Sequence, residues 1–130
     1  MGRVVLDSSV VIAALNPKDK HHEVAIRNLA AGENEYLISS ITLAETLTHA
    51  YQMGEGDAVA GILEASVDEL IEVSVEIAKL SAAIRGATRL KLPDALISAT
   101  ARKCAAELWT FDDSLAKLHE GPTKILGYIP

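Results

Sequence analysis

Short apolar runs alternate with amphipathic stretches along this chain. The runs typical of buried strands lie at residues 3–6, 36–38, 70–73, 108–110 and 124–126. Between most of them, apolar residues recur every three or four positions, which is the spacing of an amphipathic helix. Strands that alternate with helices predict a parallel sheet covered on both faces, with right-handed crossovers between the strands.

Polar residues next to these stretches predict where several helices begin and end. Ser8 and Ser9 are expected to cap a first helix that ends before Pro17, because the residue before a proline disfavours the helical conformation. A second helix is predicted from about His22 to Ala31. A longer one is predicted to start at Ser74 and to end near Lys91.

The segment that follows the second strand predicts two consecutive helices broken at Gly54 and Gly56. Thr42 and Glu45 have the spacing of a capping box, which predicts the start of the first of these helices. Periodicity predicts buried stripes on both helices. The stripe residues are Leu43, Leu47, Ala50 and Tyr51 on the first helix and Val59, Ile62, Leu63 and Ser66 on the second.

Composition narrows the class of protein. The chain has 130 residues, of which 49% are hydrophobic and 23% charged, so we expect one globular domain spanning residues 1–130. A single cysteine, Cys104, excludes an internal disulfide. The sequence shows neither a signal peptide nor an apolar stretch of membrane-spanning length, so we expect a cytoplasmic protein with no membrane association.

Charge is distributed unevenly. The formal net charge is −6, which by itself argues against a general nucleic-acid-binding protein. One stretch carries five basic residues against a single acid, Asp94. These five are the candidate phosphate-binding residues: Arg85, Arg89, Lys91, Arg102 and Lys103. Solvated helix faces would give the same pattern.

Four acidic residues lie where an apolar run gives way to a helix start. They are Asp7, Glu45, Asp94 and Asp112. Each one alone is explained by helix capping or by a favourable place at a helix N-terminus. Together they indicate more, because an open parallel sheet brings the carboxyl ends of its strands to one edge, where ligands bind.

Grouping four carboxylates is destabilising unless a cation neutralises them. Mg²⁺ and Mn²⁺ are hard cations that take oxygen ligands, and near a phosphodiester they activate water and stabilise the transition state. The acidic set therefore predicts a metal-dependent nuclease. Ser9 and Thr110 offer hydroxyl groups that would orient the acids or a bound water, although either could simply cap a turn.

These motifs resemble those of the PIN domain, and more narrowly those of VapC-type toxins from bacterial toxin–antitoxin pairs. The resemblance runs from about Val4 to the C-terminus. Its motifs are VVLDSSVVIAAL, SITLAE, TFDDSLA and, the most specific of them, LPDALISATA. It implies a three-layer α/β/α fold with a central parallel sheet of about five strands. It also implies a homodimer that cleaves RNA with Mg²⁺ or Mn²⁺ and is inhibited by a small VapB-like antitoxin.

Residue by residue, the resemblance assigns the four acidic metal positions to Asp7, Glu45, Asp94 and Asp112. Ser9 takes a polar position near the metal, and Thr110 takes a supporting hydroxyl position. Asp113 competes with Asp112 for the last acidic place, and the spacing Thr-x-Asp favours Asp112. Relatives often carry a further acid and an aromatic residue after this motif, where this chain has Ser-Leu-Ala.

Two other functions compete with this interpretation. One is a catalytically weak PIN-like module that binds RNA or a partner; the presence of all four acids argues against it. The other is aspartyl-phosphate chemistry, which also places an aspartate after a first strand. A phosphatase of that class would need an aspartate at position 9, where this chain has Ser9.

Overall fold

In the computed structural model, which describes residues 2–127, helices and strands alternate as the sequence predicts. The elements, in chain order, are β1 (Arg3–Leu6), α1 (Ser8–Leu15), α2 (His22–Ala31), β2 (Glu35–Ser39), α3 (Ser40–Gln52), α4 (Gly56–Ser66), β3 (Glu69–Ile71), α5 (Val75–Ala87), α6 (Leu92–Lys103), β4 (Glu107–Thr110), α7 (Asp113–Leu118) and β5 (Thr123–Ile125). All five predicted strands are present. Within the described residues, no helix is both long enough and apolar enough to cross a membrane.

The strands form one parallel sheet with β1 at its centre, in the order β3-β2-β1-β4-β5. The chain moves from β1 towards β3 on one side and then returns to build β4 and β5 on the other. This reversal puts a topological switch point between β1 and β4. The connections that leave the carboxyl ends of these two strands run to opposite faces of the sheet, and a crevice lies between them. Asp7 follows β1 directly and Thr110 ends β4, so both lie at this crevice.

Alternating strand residues supply two separate cores. Val5, Leu37 and Leu108 face the layer made by α5, α6 and α7. Ile38 and Trp109 belong to the opposite core, which packs against α1 to α4. Each sheet face is therefore covered by helices, which gives the three-layer α/β/α architecture with five parallel strands. The predicted fold class is confirmed.

Three residues of the predicted buried stripes are exposed: Tyr51, Ile62 and Ser66. Tyr51 is 57% exposed and Ile62 is 50% exposed. The Tyr51 hydroxyl donates to Asp57 Oδ1 at 2.7 Å, and its ring lies so close to Gly56 that a Cβ there would overlap it. The side chain thus bridges the turn between α3 and α4 instead of entering the core. The prediction was wrong because periodicity cannot detect a helix that ends in a tight turn.

Helix α3 begins earlier than the capping box predicted. Ser39 is the N-cap, and its Oγ accepts a hydrogen bond from the Ile41 amide at 3.2 Å. Thr42 is therefore already inside the helix and is fully buried. Helix α1 likewise begins one residue before the predicted caps, because Asp7 is its N-cap. Asp7 is the single residue between β1 and α1, whereas Ser39 is both the last residue of β2 and the N-cap of α3.

Helix α5 ends at Ala87 and not near Lys91 as predicted. Thr88 terminates it: its hydroxyl donates to the Ile84 carbonyl at 2.8 Å and accepts from the Leu90 amide at 3.2 Å. The Arg85 guanidinium donates to the Leu90 carbonyl and closes the turn. The shorter helix leaves Lys91 as the N-cap of α6, immediately before the segment that carries Asp94.

Candidate acidic active site

Asp7 is the most constrained of the four predicted acids. It is 5% exposed, and its Oδ1 accepts a hydrogen bond from the Ser8 amide at 2.8 Å. Its Oδ2 accepts from Ser9 Oγ at 2.7 Å and from Thr110 Oγ1 at 2.8 Å. A carboxylate has about four lone-pair positions, so these donors fix its orientation and leave it able to accept one further ligand.

Thr110 and Ser9 each connect Asp7 to the chain that follows β4. The Thr110 hydroxyl donates to Asp7 and accepts from the Asp112 amide at 2.9 Å. Ser9 Oγ donates to Asp7 and accepts from the Phe111 amide at 3.2 Å. The turn that carries Asp112 is therefore tied to Asp7 by two hydroxyl groups, both of which the sequence had put beside the acids.

Glu45 approaches the crevice from α3. Its Oε1 accepts a hydrogen bond from Ser8 Oγ at 2.6 Å, which joins α3 to the first turn of α1. Ser8 is buried and Glu45 is half-buried, so this bond is partly shielded from solvent. Sequence reasoning had considered Ser8 only as a helix cap. The hydroxyl instead holds a second acid beside Asp7.

Asp94 lies in the first turn of α6, where Pro93 fits the helix start. Burial is the largest cause that raises the pKa of this carboxyl from the ordinary 3.8 to about 6. The charges of Asp7, Asp112 and Glu45 raise it further, in that order, and Lys91 lowers it. The structure thus brings the four predicted acids close enough for their charges to interact.

Asp112 and its neighbour Asp113 play different parts. Asp112 is the N-cap of α7, and its Oδ1 accepts from the amides of Ser114 at 2.8 Å and Leu115 at 3.3 Å. Its charge acts on Asp94, whereas Asp113 is not among the groups that shift the pKa of Asp94. Asp113 is the first residue of α7, and both residues are exposed. The effect of the Asp112 charge on Asp94 therefore favours Asp112 over Asp113 as the fourth acid.

The donor set is suited to a hard divalent cation, because every one of these four side chains offers carboxylate oxygen. Across residues 2–127, no three His, Cys, Asp or Glu side chains are arranged as a complete ligand set. Mg²⁺ does not require one, since it is usually held by one or two carboxylates and keeps several waters. The residues present therefore fit a cation bound by one or two of the acids, with the others acting through water or charge.

The five predicted phosphate-binding residues do not form one patch. Lys91 is close enough to Asp94 to lower its pKa. Arg102 and Lys103 lie at the opposite end of α6, with Lys103 about 13 Å along the helix axis from Asp94 at 1.5 Å per residue. The Lys103 ammonium also pairs with Glu76 at 2.7 Å. Arg89 is exposed in the short connection between α5 and α6, on the side of Lys91.

Ser98 and His119 form a buried polar pair that no sequence signal had indicated. Ser98 Oγ and His119 Nδ1 are 2.6 Å apart, and the two residues are 1% and 7% exposed. Burial lowers the pKa of His119, and the nearby Arg102 charge lowers it further while Glu120 opposes the change. The two residues are 21 positions apart in the chain, so periodicity and motif spacing cannot connect them.

Comparison with known proteins matches this arrangement to one family. The sequence profile of the PIN domain matches residues 4–121. No curated protein sequence matches the chain.

Several solved structures share the fold. A toxin–antitoxin complex from Klebsiella pneumoniae is 29% identical, with a TM-score of 0.75 and coverage of 87% of this chain and 90% of that one. VapC20 from Mycobacterium tuberculosis, a toxin that cleaves the sarcin–ricin loop, is 20% identical, with a TM-score of 0.76 and coverage of 88% and 93%. VapBC2 from Rickettsia felis, bound to a promoter DNA fragment, is 20% identical, with a TM-score of 0.74 and coverage of 94% and 97%.

Proposed function

The chain belongs to the PIN-domain family, and from this premise we propose that it is a metal-dependent endoribonuclease and the toxin of a toxin–antitoxin pair. The observation that carries the proposal is the meeting of four carboxylates at the switch point of the sheet, where Asp7, Asp112 and Glu45 lie close enough to Asp94 for their charges to raise its pKa. A fold retains such repulsion at a cost in stability, and perturbed carboxyl groups in a crevice are typical of functional sites.

Asp7, Glu45, Asp94 and Asp112 are the acids of the proposed Mg²⁺ or Mn²⁺ site, one or two of them as direct ligands and the others acting through water or charge. When bound, such an ion supplies an activated water and stabilises the charge that develops on a phosphodiester in the transition state. Asp7 is held in place by Thr110 and Ser9, and Glu45 is held by Ser8. Hydrogen bonds of this kind orient ligands and reduce the reorganisation needed during the reaction.

The proposed substrate is RNA, held mainly by basic residues on the Lys91 side of the crevice. Lys91 and Arg89 are exposed, and Lys91 lies near enough to Asp94 for their charges to interact. Arg85 is also exposed, although its Nε donates to the Leu90 carbonyl. Because the whole chain carries a net charge of −6, we expect weak non-specific binding and recognition of RNA shape.

The proposed partner is a small VapB-like antitoxin, because the Klebsiella relative is a toxin–antitoxin complex and the Rickettsia relative is a VapBC assembly. An apolar groove of about 370 Å³ between α2 and α4 would suit such a partner. Ile26 and Ile62 lie exposed along it, and Leu29 and Leu63 form part of its floor. Exposed apolar grooves of this kind are typical of protein interfaces. We also propose that the protein forms a homodimer and acts in the cytoplasm.

The alternative is a catalytically weak module that binds RNA or a partner. The alternative predicts RNA binding that does not depend on a divalent ion and leads to no cleavage. The proposed nuclease predicts cleavage that requires the ion.

An RNA cleavage assay separates the two functions. Total RNA is incubated with the wild type, Asp7→Asn, Asp94→Asn and Asp113→Asn, in Mn²⁺ and in EDTA. We expect cleavage by the wild type and by Asp113→Asn in Mn²⁺, and none in EDTA. The cleavage rate of Asp7→Asn and Asp94→Asn should fall at least about 100-fold, which is the upper end of the range for residues that only orient metal ligands. Equal cleavage in all samples would exclude the metal-dependent mechanism.

A further inference from the structure

Two of the four acids lie at the N-terminal ends of α6 and α7, two helices of the same layer. Asp94 is in the first turn of α6, and Asp112 caps the N-terminus of α7. Ser98 follows Asp94 by one helical turn, and His119 caps the C-terminus of α7. The hydrogen-bonded pair Ser98–His119 therefore joins the two helices that bring Asp94 and Asp112 to the crevice.

Helix α7 needs such an anchor because it has only six residues. Helices of this length are not stable by themselves, so packing must fix their position. Leu115 is fully buried in the core on the α5–α6 side, and His119 lies one turn later on the same face. The Asp112 carboxylate caps the other end by accepting from the amides of Ser114 and Leu115. A change at His119 is thus transmitted to Asp112 through a single helical unit.

The Ser98–His119 pair is closely confined. Both residues are buried, and a Cβ on Gly121 would come within 3.0 Å of His119 Nε2. Arg102 and Glu120 are the charged groups that act on the imidazole. A buried polar pair of this kind specifies one arrangement of the two helices, since shifting either one leaves a buried nitrogen or hydroxyl without its partner.

We propose that Ser98 and His119 are positioning residues that set the place of Asp112 relative to Asp94. This inference rests on the proposed function, because it concerns the same acidic site. It adds Ser98, which lies within LPDALISATA but had no assigned role, and His119, which lies outside the motifs; neither side chain hydrogen-bonds to the four carboxylates. A purely structural role would make the pair important for stability but not for the properties of Asp112.

The first test measures Mn²⁺ affinity in the purified full chain, by calorimetry well below the melting temperature. Ser98→Ala should weaken Mn²⁺ binding about tenfold, the lower end of the range for residues that orient metal ligands. His119→Asn should retain most of the affinity, because its side-chain amide can occupy the place of Nδ1. Ser81→Ala is the matched control: Ser81 is also buried in this layer, but its hydroxyl has no hydrogen-bond partner among the described residues.

A double-mutant comparison separates positioning from general destabilisation. If Ser98 acts through Asp112, Ser98→Ala should have no further effect on Mn²⁺ affinity in an Asp112→Asn background. The same tenfold loss in both backgrounds would overturn the inference. So would an unchanged affinity in Ser98→Ala when the wild type binds the ion.

Amide hydrogen exchange tests the same claim without metal. The Leu115 amide donates to Asp112, so its exchange should become at least about fivefold faster in Ser98→Ala and stay unchanged in Ser81→Ala. Unchanged exchange in Ser98→Ala would overturn the inference. A wild type that binds no Mn²⁺ would count against the proposed function, and the exchange result would still decide whether the pair positions α7.

Discussion

The Thr110 hydroxyl donates a hydrogen bond to Asp7 Oδ2 across 2.8 Å, although the two residues are 103 positions apart. It also accepts from the Asp112 amide, so one buried oxygen joins the ends of β1 and β4 to the turn before α7. This hydrogen bond lies at the switch point of the sheet. The chain order of the strands, and not local sequence, is what brings these groups together.

Removing that hydroxyl should disturb both stability and activity. Thr110→Val keeps the shape of the side chain but removes one of the three donors to Asp7 and leaves the Asp112 amide without its acceptor, so we expect a loss of about 1–3 kcal/mol in the free energy of unfolding. RNA cleavage should fall about 10- to 100-fold, as for other residues that orient metal ligands. Urea denaturation and initial cleavage rates measure the two effects.

Thr100→Val provides the control for Thr110→Val. Thr100 is equally buried, but its hydroxyl donates only to the Leu96 carbonyl of its own helix. We expect its removal to leave the cleavage rate unchanged. Equal losses of activity in both variants would mean that the Thr110 hydroxyl has no special part in the acidic site.

Asp94 should give the metal-free protein an unusual pH dependence. Its pKa is about 6 in the folded chain, whereas 3.8 is the ordinary value that applies to the unfolded chain. The folded protein therefore binds the proton more tightly than the unfolded chain does. The stability from this group is fully present below about pH 4 and is lost as the pH rises through about 6. In EDTA, Asp94→Asn should therefore melt at a higher temperature than the wild type at pH 7.

The difference in melting temperature between Asp94→Asn and the wild type should shrink at pH 4 to 5. It should narrow or reverse in saturating Mn²⁺, because a bound ion stabilises the folded wild type. Asp113→Asn is the control, since Asp113 does not act on Asp94. Thermal melting monitored by circular dichroism gives all of these values. A lower melting temperature for Asp94→Asn at pH 7 in EDTA would mean that Asp94 is a structural residue.

Ser8 should be coupled to Glu45. Their hydrogen bond of 2.6 Å involves a charged acceptor, and such bonds contribute about 1.5–3 kcal/mol. In a double-mutant cycle of Ser8→Ala and Glu45→Gln, measured by urea denaturation, we expect a coupling energy of at least about 0.5 kcal/mol, as for residues that touch each other. Combining Glu45→Gln with Ser66→Ala, an exposed site on α4, should give purely additive effects.

The basic residues should contribute unequally to RNA binding. Lys91→Ala should weaken binding of a labelled single-stranded RNA in EDTA and should reduce the salt dependence by about 0.7 for each phosphate that the lysine neutralises. Lys103→Ala should leave the salt dependence unchanged, because Lys103 lies at the far end of α6 and pairs with Glu76. Fluorescence anisotropy at several salt concentrations measures both. Equal changes in the two variants would contradict the proposed path of the RNA.

The sequence predicted the strands well because β-strands buried on both faces leave continuous apolar runs, as at Val4, Val5 and Leu6. The proximity of the four acids was also predictable from their places near strand ends and helix starts, although Glu45 lies in the second turn of α3 because that helix begins at Ser40. The ends of the helices were harder to predict. Thr88 ends α5 through hydrogen bonds of its hydroxyl that have no clear pattern in the sequence.

The hydrogen bonds that hold the acids in place could not be predicted, because they join distant segments. Ser8 was adjacent to Asp7 in the sequence, yet its hydroxyl reaches Glu45 on another helix. His119 meets Ser98 only because the fold brings α6 and α7 together. Such pairings depend on how the layers pack, which one sequence without three-dimensional information does not reveal.

Titration of the Asp94 carboxyl carbon by NMR is the most direct test of whether these four carboxylates form one divalent-cation site. In EDTA, we expect a midpoint near pH 6, raised by burial and by Asp7, Asp112 and Glu45. Mg²⁺ should lower that midpoint, because the ion favours the ionised carboxylate. A midpoint near 3.8 in EDTA, or one that Mg²⁺ leaves unchanged, would contradict the proposed metal site.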